Sequence, residues 1–287
     1  MSFIRIKRNK SRFLYTAICI FTAMVTQTIL ADEAEYQFGA GLMYFDYAEY
    51  RDNNEFLDGE TGLIPGVIIS RKQRHQKLFT ELVGQLYGNR IKYDGQTQDG
   101  VPTKTNSIAI IFDSHFKLGM RIAQRHEPYI GLGYRYWYRH ILNGQDITGR
   151  AVSGLLEEYK WFYGIVGYAA NFAVNEDVFV GYDFRYTKMM SAKMDIDYLG
   201  FCGYDDAQVN LGNESGARFS LPIKVKTRNH VLTVTPYYEI IDIGKSNTIA
   251  LTRNGNLVDC DLDGYFDGAL EPRSETRNVG IELTWLW

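Results

Sequence analysis

Residues 105–120 read TNSIAIIFDSHFKLGM and alternate in polarity. From residue 108 onward, one set of alternate positions is apolar apart from a single serine: Ile108, Ile110, Phe112, Ser114, Phe116, Leu118 and Met120. The other set carries the charged side chains Asp113, His115 and Lys117. Successive side chains of a strand point to opposite faces, so the segment predicts a strand with one apolar and one polar face. A transmembrane β-barrel strand has this pattern over about 9–11 residues.

Nine further segments are predicted as strands by the same test. Five alternate clearly: 128–140, 177–188, 217–226, 230–241 and 278–287. Four alternate with more exceptions: 36–49, 57–70, 77–92 and 157–170. The total of ten is even, as expected for a bacterial single-chain barrel.

The connections between these segments alternate between short and long. The long ones are rich in Asp, Asn and Gly, and the largest are 191–215 and 244–274. Short turns on the periplasmic side and long loops outside are typical of outer-membrane barrels. A soluble β-sandwich also alternates, but its exposed face is polar rather than rich in Tyr and Leu. The sequence therefore predicts an all-β fold, an antiparallel up-and-down transmembrane β-barrel of ten strands.

The first residues of the chain predict export. A basic segment, residues 1–12, precedes an apolar run that ends at Ala31, which is typical of a secretory signal peptide over 1–31. The alternative is a retained membrane anchor. Cleavage would leave a single barrel domain, 32–287, with 26 basic and 34 acidic residues and a net charge of −8. That charge argues against nucleic acid as a partner.

The last strand adds a resemblance to a known class. It ends in Trp287 and carries apolar residues at every second position, which resembles the assembly signal of outer-membrane β-barrel proteins. The strand count is similar to that of the omptin proteases. The resemblance implies the outer membrane as location, the barrel assembly machinery as a partner, and lipid and lipopolysaccharide as surroundings of a monomer.

The polar face of the strands predicts the content of the lumen. It holds six acids, seven bases and one histidine: Glu60, Glu81, Asp113, His115, Lys117, Arg135, Arg139, Lys160, Asp183, Arg185, Arg218, Lys224, Glu239 and Glu282. Near-balance predicts ion pairs, because a buried charge without a partner is costly. The main functional prediction is a surface protein with an ion-paired lumen, acting as a structural or binding protein or as a narrow, selective, porin-like channel.

Asp113 and His115 are the candidates for catalysis, since a carboxylate and an imidazole two residues apart share one strand face. Omptins carry an Asp-x-His pair and an opposing aspartate pair at the outer rim. Here the pair lies about halfway along its strand, and Asp205-Asp206 has no matching strand context. Lipid hydrolases use a serine with a histidine, but Ser114 and His115 point to opposite faces. An outer-membrane hydrolase, omptin-like or lipid-modifying, is the alternative prediction.

The segment VDCDLDGYFDG, residues 258–268, predicts a calcium site in the last external loop. Oxygen ligands at alternate positions followed by a turn glycine are typical of loops that wrap this cation. The predicted ligands are Asp259, Asp261, Asp263, the carbonyl of Tyr265, and Asp267. The bidentate acid of an EF-hand is missing, so a second loop would complete the set. A solvated acidic loop is the alternative.

Two cysteines remain after signal cleavage, Cys202 and Cys260. An even pair in an oxidising compartment predicts a disulfide, and both residues fall in loops on the external side. The alternative is two free thiols. A disulfide and calcium together would order the two longest loops into a rigid external cap.

Overall fold

The computed structural model describes residues 33–97, 100–123, 125–228, 230–260 and 262–286, in which ten strands form one closed antiparallel barrel. The predicted signal peptide and Trp287 lie outside these residues. The first five strands are β1 (Glu33–Tyr50), β2 (Phe56–His75), β3 (Leu78–Gln96), β4 (Pro102–Met120) and β5 (His126–Ile141). The others are β6 (Leu155–Ala173), β7 (Val178–Asp197), β8 in three pieces (Ala207–Asn210, Ser215–Ser220 and Ile223–Lys226), β9 (Val231–Ile243) and β10 (Arg273–Leu286).

Short elements decorate the external side. They are a 3-10 turn and six two- or three-residue strands: Phe201–Gly203, Gly144–Asp146, Ala151–Val152, Ile249–Ala250, Thr252–Arg253, Asn256–Leu257 and Gly268–Ala269. Among the described residues, helices of the length and hydropathy needed to cross a membrane do not occur.

The barrel closes where β1 pairs with β10. Phe38 lies opposite Trp285, and Gly41 lies opposite Glu282. On its other side β1 pairs with β2 from end to end. Because every strand has a neighbour on both sides, the barrel leaves no long unpaired edge within a lipid bilayer.

A bulge in β7 reverses which face its side chains occupy. Phe162 of β6 pairs with Ser191 and Tyr163 pairs with Met189, so Met190 has no partner of its own. An extra residue in one strand moves all later side chains to the opposite face. The residues that point inward beyond the bulge are all buried: Ala192, Met194 and Ile196.

The predicted external loop 191–215 is therefore wrong in its bounds. β7 continues to Asp197 and the first piece of β8 begins at Ala207, which leaves 198–206 as the loop. Before Met190 the inward residues of β7 have odd numbers, and after it they have even numbers. The sequence test assumed a single parity, so the predicted strand ended before the bulge. The predicted loop 244–274 agrees with the structure more closely, because β9 ends at Ile243 and β10 begins at Arg273.

The outward faces of the strands form an apolar belt. Ile130 and Leu132 of β5 are each 60% exposed, and Phe184 of β7 is 48% exposed. The belt continues around the barrel on every strand: Phe38, Leu42, Leu63, Val67, Leu86, Phe116, Leu118, Val166, Phe219, Leu221, Tyr238, Val279 and Ile281. A continuous exposed apolar surface of this extent is matched to lipid rather than to water.

Inside the barrel, tyrosine rings lie over glycines of the adjacent strand. A Cβ atom on Gly133 would come within 2.2 Å of the Tyr163 ring, and one on Gly280 within 2.4 Å of the Tyr237 ring. Any side chain larger than hydrogen at these two positions would displace the ring. This packing accounts for a glycine at each of these two positions.

The inward and outward assignment is tested at two adjacent positions of β7. Single cysteines at Phe184 and Asp183 carry a bimane fluorophore in liposomes that contain brominated lipid. We expect strong quenching for Phe184→Cys, which faces lipid, and weak quenching for Asp183→Cys, which faces the lumen. Equal quenching, or the reverse order, would contradict the assignment.

Candidate functional site

Asp113 and His115 lie on the inner face of β4, buried in the middle of the barrel. Asp113 Oδ1 is 3.0 Å from His115 Nδ1. The same carboxylate accepts hydrogen bonds from Arg135 Nε at 2.8 Å and from the Tyr163 hydroxyl at 2.8 Å. On the far side of the imidazole, His115 Nε2 is 3.3 Å from Arg185 Nη1. The charged neighbours of this pair, Arg135 and Arg185, thus belong to an ion-pair network.

The network crosses the lumen at this level through Glu239 of β9. Arg135 Nη2 lies 3.2 Å from Glu239 Oε1, and Arg185 Nη2 lies 3.1 Å from the same oxygen. Two guanidinium groups therefore face two carboxylates, those of Asp113 and Glu239. Balanced and hydrogen-bonded charges are tolerated in a low-dielectric interior.

The lumen nearer the short turns contains separate pairs. Lys117 donates to Glu81 at 3.2 Å, and Arg218 donates to Glu282 at 2.7 Å. Asp183 accepts from the Tyr129 hydroxyl at 2.6 Å. Lys224 of β8 lines the same space.

Lys160 was predicted in the lumen, and this prediction is wrong. Its neighbours Tyr159 and Trp161 are buried inside the barrel, at 0% and 5% exposure, so Lys160 points outward. It pairs there with Glu158 at 2.7 Å and with Asp195, near the external ends of β6 and β7. The sequence test failed because polar residues also occupy the outward face where strands extend past the apolar belt.

Arg139 of β5 organises the outer half of the lumen and is only 1% exposed. Its Nε donates to Glu60 at 2.9 Å, and its Nη2 donates to Asp58 at 3.2 Å. Its Nη1 donates to Glu49 at 2.8 Å and to Glu157 at 2.7 Å. One guanidinium thus binds four carboxylates from β1, β2 and β6.

Three of these four acids were missed by the sequence analysis. Glu49 and Asp58 lie at the external ends of β1 and β2, as the last residue of the predicted strand 36–49 and the second residue of the predicted strand 57–70. Glu157 is the first residue of the predicted strand 157–170, and its odd number shares the parity of inward Tyr159. All three already lie within the predicted strands, so applying the inward parity up to the first and last residues of each strand would have identified them.

A fifth carboxylate, Glu271, reaches this cluster from the last loop. Glu271 Oε1 accepts hydrogen bonds from the Tyr159 hydroxyl at 2.7 Å and from the Tyr47 hydroxyl at 3.1 Å. Burial and the nearby carboxylates Glu49 and Glu157 raise the pKa of Glu271 well above its ordinary value. Loop residues carry no alternation, so nothing in the sequence indicated this contact.

The loops 198–206 and 244–272, here called the external cap, are tied to each other. A disulfide joins Cys202 to Cys260, with 6.1 Å between the Cα atoms, as predicted. Asp267 Oδ2 accepts from the Tyr204 hydroxyl at 2.8 Å and from the backbone N–H of Cys260 at 2.7 Å. The disulfide and the hydrogen bond between Tyr204 and Asp267 therefore join the two loops at the same place.

Asp205 holds a second junction of the external cap. It accepts from the backbone N–H of Gly255 at 2.9 Å and from the Thr252 hydroxyl at 2.8 Å. These donors hold the pKa of Asp205 below its ordinary value. Its carboxylate fastens the turn between Thr252 and Leu257 to the loop 198–206.

The predicted calcium ligands are only partly described. Asp261 lies outside the described residues. Asp259 accepts from the N–H of Gly264 at 3.0 Å, and Asp263 accepts from the N–H of Tyr265 at 2.8 Å. Within the ranges that the structure describes, three or more His, Cys, Asp or Glu side chains do not converge as a metal site. Calcium binding stays a prediction.

The comparisons with known proteins agree with the architecture. No protein-family model matches the sequence, and no curated protein matches it. The chain is similar in fold to the crystal structure of outer membrane protease OmpT from Escherichia coli, with a TM-score of 0.55 and 11% sequence identity over 91% of this chain and 98% of OmpT.

Two other barrels superpose less closely. Neisserial surface protein A (NspA) gives a TM-score of 0.33 at 11% identity, over 88% of this chain and 98% of NspA. The toluene transporter TodX from Pseudomonas putida gives 0.35 at 8% identity, over 90% of each chain. The OmpT-like fold and the apolar belt together identify a bacterial outer-membrane β-barrel, and this places the protein in the outer membrane.

Proposed function

We propose that the protein is a closed surface barrel whose function is structural or binding and lies in its external cap. The observation that carries this proposal is the filled outer half of the lumen. Trp137, Tyr47 and Tyr159 are 2%, 1% and 0% exposed. Their rings are in contact, with 4.9 Å between the centroids of Tyr47 and Trp137 and 4.6 Å between those of Trp137 and Tyr159.

This filling argues against the narrow channel. A hydrated ion would have to pass between the aromatic rings and the carboxylates that bind Arg139. These carboxylates and the guanidinium are bonded to each other across the lumen. Barrels that conduct freely use sixteen or more strands, whereas small barrels are filled by their own side chains. Above the rings, Glu271 fastens the external cap over the same opening.

The external cap offers a surface suited to a partner. Leu262, Tyr265 and Phe266 are 84%, 78% and 64% exposed, and they lie within six residues of the disulfide at Cys260. Exposed apolar and aromatic side chains on an ordered loop are typical of protein interaction sites. Disulfide anchoring reduces the entropy that such a loop would lose on binding.

The proposal also covers the protein's surroundings. We infer a monomer that is inserted by the barrel assembly machinery, with lipid and lipopolysaccharide against the apolar belt. The belt supports the lipid contact, because its exposed aliphatic and aromatic side chains match an acyl-chain environment.

The alternative of an omptin-like or lipid-modifying hydrolase has less support. Asp113 and His115 are 3% and 4% exposed and are covered on the external side by the aromatic filling. A peptide outside the cell could not reach them, and both oxygens of Asp113 already bind Arg135 and Tyr163. The fold shared with OmpT carries no catalytic residue over to this chain.

A calcium ion in the external cap is a further part of the proposal. Asp259 Oδ1 is buried and has no hydrogen-bond partner within the described residues, so one ligand oxygen of the predicted set is available. If the ion binds, replacing millimolar calcium by EDTA will speed proteolysis within 254–266, and Asp263→Asn will remove that difference. Equal cleavage in both conditions would contradict it.

Conductance tests the closed barrel directly. We expect the refolded protein in a planar lipid bilayer to show no steady single-channel current, with calcium or with EDTA. As a control, Trp137→Ala with Tyr159→Ala should produce current, because it removes the two stacked rings from the lumen. Steady current through the unmodified barrel would refute the proposal.

The docking of Glu271 predicts a dependence of stability on pH. Its folded-state pKa is raised, so its favourable contribution is present at acid pH, below about 4.3 where the unfolded carboxyl protonates. That contribution is lost as pH rises through the higher folded pKa. Glu271→Gln should therefore be more stable than the unmodified protein at pH 8, by about 1–2 kcal/mol, and equally stable at pH 4.

Thermal unfolding in detergent micelles between pH 4 and pH 9 measures this effect. The matched control is Glu214→Gln, which removes an exposed carboxylate elsewhere on the external side and should leave the pH profile unchanged. Parallel profiles for Glu271→Gln and the unmodified protein would show that Glu271 docks without a proton.

A further inference from the structure

The half of the lumen that faces the short turns contains a cavity of 190 Å³. Its mouth is formed by residues near strand ends at those turns, among them Lys72 of β2 and Glu127 of β5. Its inner end is formed by His115, Arg185 and Arg218, and His115 and Arg185 contact the network of Asp113, Arg135 and Glu239. The cavity therefore opens toward the periplasm and ends blindly at mid-barrel.

The wall of the cavity is charged, and most of its charges are paired within it. Lys72 Nζ is 2.5 Å from Glu127 Oε2, and Arg74 Nη1 is 2.9 Å from Glu127 Oε1. Deeper in the cavity lie the pairs Lys117–Glu81 and Arg218–Glu282 already described. Counted over the lining, six basic side chains face five acidic ones: Lys72, Arg74, Lys117, Arg185, Arg218 and Lys224 against Glu35, Glu81, Glu127, Asp183 and Glu282.

Arg185 pairs with Glu239, which lies outside the lining, so Lys224 is the basic lining residue that has no ion-pair partner of its own among the described residues. Its ammonium group forms neither a hydrogen bond nor an ion pair with the described residues, although it lines the cavity beside well-paired neighbours. The nearby hydroxyls of Thr233, Thr235 and Ser220 line the same wall. A cation held in a confined space favours an anion there, because pairing offsets the loss of hydration.

A second donor at the inner end of the cavity lacks an acceptor. Arg185 is 5% exposed, and its Nη atoms contact Glu239 and His115. Its Nε is buried and has no hydrogen-bond partner within the described ranges. An orphaned guanidinium N–H in a native structure calls for a partner, because leaving it unbonded costs about 1–3 kcal/mol.

We propose that this cavity binds a small oxyanion, a phosphate or carboxylate group, that enters from the periplasmic side. Lys224 provides its principal positive charge, and the hydroxyl of Thr233, which lies opposite Lys224 on β9, donates beside it. Arg185 lies six residues farther along β7 than Phe179, the partner of Lys224, and its Nε donates to water at the inner end. Charge-assisted hydrogen bonds of this kind are the strong ones in protein sites. The volume admits an anion of a few non-hydrogen atoms with some water. The site is separate from the external cap, on the opposite side of the aromatic filling.

Titration calorimetry of the refolded barrel in zwitterionic micelles tests the proposal, with inorganic phosphate and acetate as probes in an amine buffer. We expect saturable one-to-one binding of at least one probe. Lys224→Met should weaken binding by about tenfold or more, since it removes the charge-assisted contact. Lys193→Met is the matched control, because it removes the same charge from an exposed site near the external end and should change affinity by less than about twofold.

Lys224→Met should fold, because Lys224 has no ion-pair partner to leave behind, and thermal unfolding of the variant checks this. Phosphate should also raise the melting temperature of the unmodified protein more than that of Lys224→Met. Adding vesicles of anionic phospholipid in place of phosphate distinguishes a lipid headgroup from a free anion, and only the free anion should compete for the site. Equal affinity in the two proteins, or no saturable binding of either probe, would overturn the proposal.

Discussion

The outer half of this barrel depends on one buried arginine. A guanidinium stays charged at every pH that a protein experiences, so burying Arg139 requires carboxylates around it. Four of them, Glu49, Asp58, Glu60 and Glu157, come from three different strands. The resulting bonds join opposite walls of the lumen. They also fix the position of Trp137, Tyr47 and Tyr159, because Arg139 lies 4.8 Å from the centre of the Tyr47 ring.

The acids around Arg139 outnumber it, and this excess links the barrel to the external cap. Glu271 joins the cluster only through tyrosine hydroxyls, without a cation of its own. A shared proton is the simplest way to accommodate another carboxyl in that place. In the inner half of the lumen, Lys224 lines an open cavity without an ion-pair partner among the described residues. The closed external end and the open periplasmic end thus differ in access.

The sequence could predict the barrel because its strands separate two different environments, a polar lumen and an apolar bilayer. Each strand within the bilayer must alternate, so parity located ten strands, and the topology then placed Cys202 and Cys260 on the same side. The prediction failed where that constraint ends. Met190 inserts one residue and reverses the parity of β7, and Lys160 lies where the outward face meets water. Glu271 reaches the lumen from a loop, which no periodic pattern describes. The Arg139 cluster contains residues of two kinds that the test misses. Glu49, Asp58 and Glu157 lie near strand ends, and Glu271 lies in a loop.

The central role of Arg139 is tested most directly by the free energy of unfolding of Arg139→Met, compared with that of the unmodified protein. Both are measured in lipid vesicles by urea titration at pH 7.5 and at pH 4. If the ion pairs close the outer lumen, the variant loses about 3–5 kcal/mol at pH 7.5, where the acids are left without their cation. At pH 4 the loss becomes much smaller, because protonated carboxyls need no cation. An equal loss at both pH values would mean that Arg139 contributes packing alone. No loss at pH 7.5 would contradict the central role of the cluster.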